Sequence, residues 1–414
     1  VDILMLSSVN DQAVGAVGTA NTYIGIFIIM FSVISSGMVA VMTQNIGAGR
    51  PGVAYQARQL GLAFNAVLGI IMSLFLSLGA GTILSGVGVA DALMQPAKTY
   101  LQIVGGFCIL NALIPICSSY LRAFGFSKEP LYASIIGNVI NFCLNAFFLF
   151  VLHKGVAGVA TATVISRIIN LVIVVLLGAV LVKAKQHPER ESNRAVMGQI
   201  IRIGLPSACE TAIYNVSMTL VIRFLNQMDA QGLNVTARSY TMQITNFSYC
   251  VGAALAQANA IMTGWHIGAK EYDACDRGTR KAAIIGVIVA VILETMFALC
   301  SGWIMQLFSK DPQMVSLVGK LLAIDIVLEM GRVTNLVYGQ ALKTSGDAVF
   351  PVVMGACFMI LCSVGGTYLF GIRLGLLAVG AYIGMAGDEC VRAVGMYLRW
   401  KSGKWKEKGL VKSR

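Results

Sequence analysis

The 414 residues are 57% hydrophobic and only 12% charged, with a formal net charge of +12. A water-soluble domain carries about twice that share of charged residues, and a chain of this length would need far more polar surface to fold in water. The composition therefore excludes a soluble globular protein and predicts that most of the molecular surface contacts lipid.

A helix that spans the membrane needs about 20 mostly apolar residues. We predict eleven complete spans, preceded by a short apolar segment at residues 1–8 that is counted as the first span. The complete spans cover residues 19–45, 57–84, 98–121, 130–152, 157–182, 198–225, 238–264, 280–306, 315–341, 349–371 and 375–399. Because the chain opens inside an apolar segment and without Met, we expect that the start of the first helix is missing.

The chain repeats a pattern at an offset of 221 residues. The matching pairs are Gly47 with Gly268, Arg122 with Lys343, Gly125 with Gly346, and Pro130 with Pro351. A long repeat of hydrophobic helices is the architecture of a secondary transporter. We therefore predict an all-α membrane protein of twelve transmembrane helices, built as two six-helix bundles. The predicted divisions are an N-terminal lobe (1–183), a linker (184–197), a C-terminal lobe (198–400) and a basic tail (401–414).

The basic residues are concentrated on one side of the predicted membrane. Of the 31 Lys and Arg, 21 fall in loops on one side, seven on the other, and Arg167, Arg332 and Arg392 lie within spans. The group of seven includes Arg238. Cytoplasmic loops are enriched in Lys and Arg, so the linker and the C-terminus are predicted to be cytoplasmic. Gly47 and Gly268 then share one side, which makes the two halves parallel repeats.

The remaining composition argues against several kinds of partner. The basic residues follow helix ends without interleaved aromatic residues, so we expect no nucleic-acid binding. The ten Cys form no Cys-x-x-Cys pair and the three His are far apart, so no cofactor and no metal other than Na⁺ is expected. We expect a monomer whose partners are membrane lipid and small organic substrates.

Two polar segments lie outside the spans. The linker is either a surface helix or a solvated loop, and the sequence leaves both open. The C-terminal run of basic residues contains Trp400 and Trp405. Trp favours the headgroup level and Lys an anionic leaflet, so we predict that this run anchors the chain to the inner membrane face. A tail that binds a partner protein is the alternative.

A charged side chain in the hydrocarbon region costs at least about 2.5–3.5 kcal/mol, so each one needs an explanation. The first half has Asp2 in the first span. Asn138, Asn141 and Asn145 share one face of the fifth span, and Thr163 lies in the sixth. A carboxylate among amide and hydroxyl oxygens can hold Na⁺ or a proton. The alternative is that the Asn side chains only cross-link helices.

The second half is richer in ionisable residues. Glu210 lies in the seventh span and Glu294 in the ninth. An intramembrane polar network is predicted from Asp325, Glu329, Arg332, Asn335, Asp388, Glu389 and Arg392 in the tenth and twelfth spans. The spacings of Glu329 to Arg332 and of Asp388 to Arg392 allow pairing within one helix. This network is either structural or functional. Glu210 has no nearby base on its own helix, which makes it a better candidate for a titrating or cation-binding carboxylate.

Several segments together resemble the bacterial branch of the multidrug and toxic compound extrusion (MATE) transporters, within a superfamily that also holds polysaccharide exporters. In the first half they are residues 1–2, 13–18, 44–49, 121–125 and 155–163 and the helix of Asn138, Asn141 and Asn145. In the second half they are residues 204–206, 268–270, 346–347 with Pro351, 388–389 and 399–400. The resemblance runs nearly end to end. It implies a secondary active antiporter, not an enzyme, that exports organic, often cationic or amphipathic compounds while Na⁺ or H⁺ enters.

The resemblance also implies a cation site in the first lobe, formed by an Asp in the first span and by an Asn and an Asp four residues apart in the fifth. Asp2 and Asn141 match this pattern, whereas Asn145 replaces the second carboxylate. A branch with acidic residues in spans seven and ten is matched in part, because Glu210 is displaced and Arg332 stands where that branch has Asp. The coupling candidates are therefore Asp2, Asn141, Asn145, Thr163 and Glu210.

The resulting hypothesis is alternating access. Two lobes would form a V-shaped cleft with apolar, Met-rich walls, and an ion at Asp2 or Glu210 would stabilise one packing over another. A flippase for lipid-linked oligosaccharides is the first alternative, although its cleft would carry several cationic residues and the first lobe has Arg167 alone. An integral-membrane enzyme is a remote alternative, because no His lies within a span.

Overall fold

The computed structural model describes residues 5–6, 11–86, 91–183, 187–229, 232–306, 308–309 and 311–411. Throughout these ranges the chain is helical or forms short connections, without a strand. The helices are α1 (Asp11–Gly47), α2 (Pro51–Gly86), α3 (Asp91–Tyr100), α4 (Ile109–Ala123), α5 (Lys128–Ala146), α6 (Gly155–Leu181), α7 (Asn193–Met228), α8 (Leu233–Gly268), α9 (Tyr272–Leu299), α10 (Ser301–Met305), α11 (Pro312–Ser345), α12 (Val349–Phe358) and α13 (Leu377–Lys401). Short π-helical segments extend α3, α5 and α12.

Six helical segments of the described chain are long and apolar enough to cross a membrane by length and composition. They are Phe27–Gly47, Pro51–Ser85, Lys128–Val151, Gly155–Leu181, Tyr272–Leu299 and Val349–Arg373. Leu93–Gly105 and Ile109–Ala123 meet the same criterion together, and the bend of 42° between them fits a broken seventh span or a re-entrant loop. The long helices α7, α8, α11 and α13 do not reach this apolar threshold. Polar and charged residues inside these helices lower their mean hydropathy, and those of α11 and α13 contribute most of the candidate site.

Large apolar side chains face outward along these helices. Leu78 of α2 is 83% exposed and Leu299 of α9 is 81% exposed. Such a surface would be unfavourable in water, and it is stable where lipid tails cover it. The exposed apolar faces therefore agree with the composition in placing most of the surface against lipid.

The chain divides into two compact units. Unit 1 consists of Val1–Ile46 and Arg50–Gly204, and unit 2 consists of Gly47–Gly49 and Leu205–Arg414. Unit 1 has an apolar core that includes Val17 and Leu76. Unit 2 has two apolar clusters, one around Leu321 of α11 and one around Val337 of the same helix. The lobe and linker boundaries drawn from the sequence stay predictions.

The described part of the predicted linker is irregular over residues 187–192, and from Asn193 it belongs to α7. Arg50 Nη2 lies 2.6 Å from Glu191 Oε1, and Gln56 Nε2 donates to the Glu191 carbonyl at 2.7 Å. Arg190 Nη1 donates to the Gly52 carbonyl at 2.7 Å. These bonds hold the irregular part, whose residues are mostly exposed, against the start of α2.

The C-terminal tail corrects the prediction of a tryptophan membrane anchor. Trp400 and Trp405 are buried, with 2% and 1% exposure, and their rings stack at 4.1 Å. Trp405 Nε1 donates to the Trp400 carbonyl, and Trp400 Nε1 donates to Asp276 Oδ1 of α9, both at 2.9 Å. The two rings therefore pack inside unit 2 instead of facing lipid headgroups. The sequence argument failed here because it assigned the indoles to lipid without considering a fold-back of the tail.

Helix α13 packs closely against the π-helical segments that follow α12. The backbone of Phe370 and Gly371 leaves no room for a Cβ at Gly380, whereas a Cβ at Gly387 would meet nothing within 4 Å. We expect Gly380→Ala to destabilise the protein by about 1–3 kcal/mol, because a rigid backbone has to move. Gly387→Ala is the matched control and should be neutral or stabilise by up to about 1 kcal/mol through helix propensity. Loss of the folded peak in size-exclusion chromatography after graded heating measures both variants, and equal melting curves would contradict the close packing.

Candidate functional site

Unit 2 contains a set of ionisable and amide side chains that we call the buried charged layer. Its members are Glu294 of α9; Asp325, Glu329, Arg332 and Asn335 of α11; and Asp388, Glu389 and Arg392 of α13. All are buried except Arg332, which is half-buried. Along α13 the charged residues lie between Tyr382, in one apolar cluster, and Trp400, in the other. The layer is therefore enclosed by apolar packing on the same helix.

Arg392 is paired with two carboxylates on its own helix. Its Nε and Nη2 each lie 2.9 Å from an oxygen of Asp388, and its Nη2 lies 2.8 Å from Glu389 Oε1. Ser363 Oγ donates to Asp388 Oδ2 at 3.0 Å. The pair predicted from the i to i+4 spacing of Asp388 and Arg392 is present, and it is a bidentate ion pair of the strong kind.

Glu389 joins α13 to α11. Asn335 Nδ2 donates to Glu389 Oε2 at 3.0 Å, and Arg332 Nε lies 3.6 Å from Glu389 Oε1. Arg332 Nη1 also donates to Glu329 Oε2 at 2.8 Å, as the i to i+3 spacing predicts. Six of the seven residues of the predicted polar network, all except Asp325, are therefore joined by these contacts in unit 2, and Glu389 is the residue that links the two arginines.

Carboxylates outnumber guanidinium groups in this layer. Five carboxyl groups (Glu294, Asp325, Glu329, Asp388 and Glu389) face two arginines, Arg332 and Arg392. Glu294 is fully buried and forms no ion pair in the described part of the chain. Glu329 Oε1 and Asp325 Oδ2 have no hydrogen-bond partner there. An unpaired charge is unfavourable in such buried positions. The carboxyl groups of the layer are therefore suited to bind a proton or a cation.

A cavity of about 220 Å³ lies beside the layer within unit 2. Asp325 and Arg332 belong to both the layer and the cavity wall. Three methionines, Met218, Met242 and Met385, also line it. The thioether side chain adapts to varied shapes, so the cavity combines fixed charges with an adaptable apolar wall.

Glu210 lies outside this network. Lys343 Nζ of α11 is 2.5 Å from Glu210 Oε2, although the angles at this contact are not those of a hydrogen bond. Both side chains are mostly buried. Glu210 therefore has a basic partner on another helix, which an inspection of its own helix could not reveal. The pairing makes Glu210 less suited to exchange ions freely than Glu294, which has no basic partner in the described chain.

The first-lobe candidates form a neutral cluster where the structure describes them. Asn145 Nδ2 donates to Asn141 Oδ1 at 3.3 Å, and Asn141 Nδ2 donates to Thr163 Oγ1 at 3.4 Å. All three are buried. Asp2 lies outside the described residues. The cluster joins α5 to α6, so it fits the cross-linking interpretation and leaves the ion-site interpretation as a prediction.

Two residues of the site were missed or undervalued. Arg238 was counted among external loop residues, but α8 begins at Leu233 and places Arg238 in its second turn, 7% exposed and lining the cavity. The Asp229 carboxylate fixes this start by accepting the N–H groups of Leu233 and Asn234 at 2.9 and 3.0 Å. Glu294 can be identified as a candidate from the sequence, because it is a carboxylate inside an otherwise strongly apolar span.

Long helices with lipid-facing apolar surfaces and an enclosed charged layer define a multi-pass membrane transporter. The chain belongs to the MatE family, whose model matches residues 1–147 and 206–369. It is 33% identical to "Uncharacterized transporter YisQ" of Bacillus subtilis, over 99% of this chain and 91% of the relative. It is 22% identical to "Probable multidrug resistance protein NorM" of Thermotoga maritima, over 99% of this chain and 89% of that relative. The predicted family membership is thereby confirmed.

Solved structures show the same fold. "Crystal structure of MATE in the straight conformation" matches with a TM-score of 0.88 at 19% identity, covering 98% of this chain and 92% of that one. "Outward-facing conformation of a multidrug resistance MATE family transporter of the MOP superfamily" matches with a TM-score of 0.87 at 18% identity, covering 100% and 92%. The predicted all-α membrane fold is confirmed, and identities this low show the fold alone.

Proposed function

We propose that the chain is a secondary active antiporter of the bacterial inner membrane. It exports organic, often cationic or amphipathic compounds in exchange for H⁺ or Na⁺. The observation that carries the proposal is the excess of carboxyl groups in the buried charged layer, where five face two arginines. The positive-inside distribution supports a cytoplasmic linker and C-terminus.

The layer supplies a physical route to coupling. A proton or Na⁺ at Glu294, Asp325 or Glu329 neutralises a charge that is otherwise unfavourable in its buried position. Binding therefore stabilises a packing of α9, α11 and α13 that keeps these carboxyl groups enclosed. Release favours a packing in which they reach water. A ligand shifts a conformational equilibrium only by binding one state better, and these carboxyl groups provide such a difference.

Proteoliposomes loaded with ethidium test this proposal. We expect a pH gradient or a Na⁺ gradient, imposed separately, to drive dye movement across the membrane, and an ionophore that collapses the effective gradient should stop it. Protein-free vesicles are the control, and dye fluorescence is the readout. Movement that neither gradient drives would contradict the antiporter. Gradient-independent transfer of a lipid-linked oligosaccharide would instead favour the flippase alternative.

A further inference from the structure

Arg238 is a buried arginine that shares its cavity with one carboxylate, Asp325, but forms no direct ion pair with it. It is 7% exposed, and it forms no ion pair with a carboxylate in the described ranges. Its Nε has no hydrogen-bond partner there, and its Nη2 contacts only the Met218 sulfur, at 3.8 Å. A thioether is a weak acceptor. Arg332 and Arg392 are each paired with carboxylates, so Arg238 differs from every other arginine that faces this part of unit 2.

An enclosed guanidinium without a partner is unfavourable on its own. Replacement by a well-packed apolar side chain would relieve that cost, so packing does not explain why the residue is an arginine. Arg238 also lines the 220 Å³ cavity beside the layer. A guanidinium is always charged and presents a planar fork of donors that matches a carboxylate. The position therefore suits an anionic group that enters the cavity from outside the chain.

The rest of the cavity indicates what accompanies that anion. Tyr214, Tyr249 and Tyr382 line the cavity together with its methionines. Aromatic rings and thioethers both make favourable contacts with an aromatic ring. Pockets for whole drug-sized ligands are typically about 300–1,000 Å³, so this cavity takes one small ring with its polar group. Among charged side chains of its wall, the two arginines outnumber the one carboxylate, Asp325.

We propose that this cavity binds a small aromatic carboxylate, or the aromatic acid group of a larger amphipathic substrate, with Arg238 as its counter-ion. The inference rests on the proposed function in one respect, because it takes the bound acid to be a transported compound. The residues that select the acid are Arg238, through the carboxylate, and the tyrosines, through the ring.

Calorimetric titration of the purified full chain with benzoate tests the site without any gradient. We expect saturable benzoate binding that weakens about ten- to a hundredfold in Arg238→Met, because a charge-assisted hydrogen bond is lost. Benzamide has the same ring without the charge and should bind equally weakly to both proteins. Chloride should not compete, since it lacks the ring. Absent benzoate binding, unchanged binding in Arg238→Met, or full competition by chloride would overturn the proposal.

The thermal stability of the unliganded variant separates a binding role from a structural one. Arg238→Met removes an uncompensated buried charge, so its apparent Tm should equal or exceed that of the parent protein, whereas a structural arginine predicts a fall. If Arg238→Met does not fold, Arg238→Lys decides, because it keeps the charge and should retain benzoate binding with a several-fold loss. Benzoate binding without gradient-driven ethidium movement in the parent protein would overturn the antiporter alone. Ethidium movement without benzoate binding would overturn the acid site alone.

Discussion

Replacement of Glu294 by Gln is expected to reduce gradient-driven efflux by about tenfold or more, because a charge at this depth is worth at least about 2.5–3.5 kcal/mol. Glu294 is fully buried on α9, and no basic side chain forms an ion pair with it in the described chain. Gln keeps the size of the side chain and removes its ability to release a proton or to hold a cation as a charge. Initial rates of ethidium movement under the effective gradient measure the effect.

The change should leave the fold intact, because no ion pair depends on Glu294. The variant is therefore expected to match the parent protein in expression and apparent Tm while its transport no longer responds to the gradient. Glu407→Gln makes the same chemical change at an exposed position of the tail and is the control. If Glu294→Gln, Glu329→Gln and Asp325→Asn all kept full gradient-driven efflux, the buried charged layer would not be the coupling site.

Arg392→Met is expected to be the most destabilising single change in the layer, at about 3–5 kcal/mol. Arg392 neutralises both Asp388 and Glu389 at distances of 2.8–2.9 Å, and all three are buried. Its removal leaves two enclosed carboxylates without this partner. The free energy of unfolding, measured by chemical denaturation in detergent, reports the loss.

A matched pair on the surface provides the control for this prediction. Arg280 and Asp276 have the same i to i+4 spacing on α9, but they are exposed and 3.6 Å apart. Arg280→Met should cost at most about 1 kcal/mol. Adding Asp388→Asn to Arg392→Met should recover part of the lost stability, since one of the uncompensated charges is removed. Equal losses for Arg392→Met and Arg280→Met would mean that the buried pair has no special weight.

The fold was largely predictable, because the features that specify it are local or periodic. A span of about 20 apolar residues identifies a membrane helix whatever its neighbours are. Connections that depend on distant parts of the chain were not predictable. The side-chain oxygen of Asn234 accepts the N–H of Ala378, which ties the start of α8 to the start of α13. No pattern within either segment indicates this bond, and it helps to place Arg238 inside the unit.

The same distinction applies to the site. Pairs within one helix, such as Asp388 with Arg392, follow from helical spacing and were predicted. Pairs between helices, such as Glu210 with Lys343, depend on which faces meet and were not. The membrane rule for buried charge identified the right helices, because it needs no knowledge of contacts. It could not tell which carboxyl groups would be left without partners.

The stacked rings at the end of α13 have a practical consequence for spectroscopy. The protein has four Trp, and two of them, Trp400 and Trp405, lie in face-to-face contact where the tail returns to unit 2. Indole emission depends strongly on the surroundings of the ring, so two of the four Trp residues report on the same part of the structure. Undocking of the tail would therefore alter the intrinsic fluorescence of the unlabelled protein, and a spectrum could follow it during turnover.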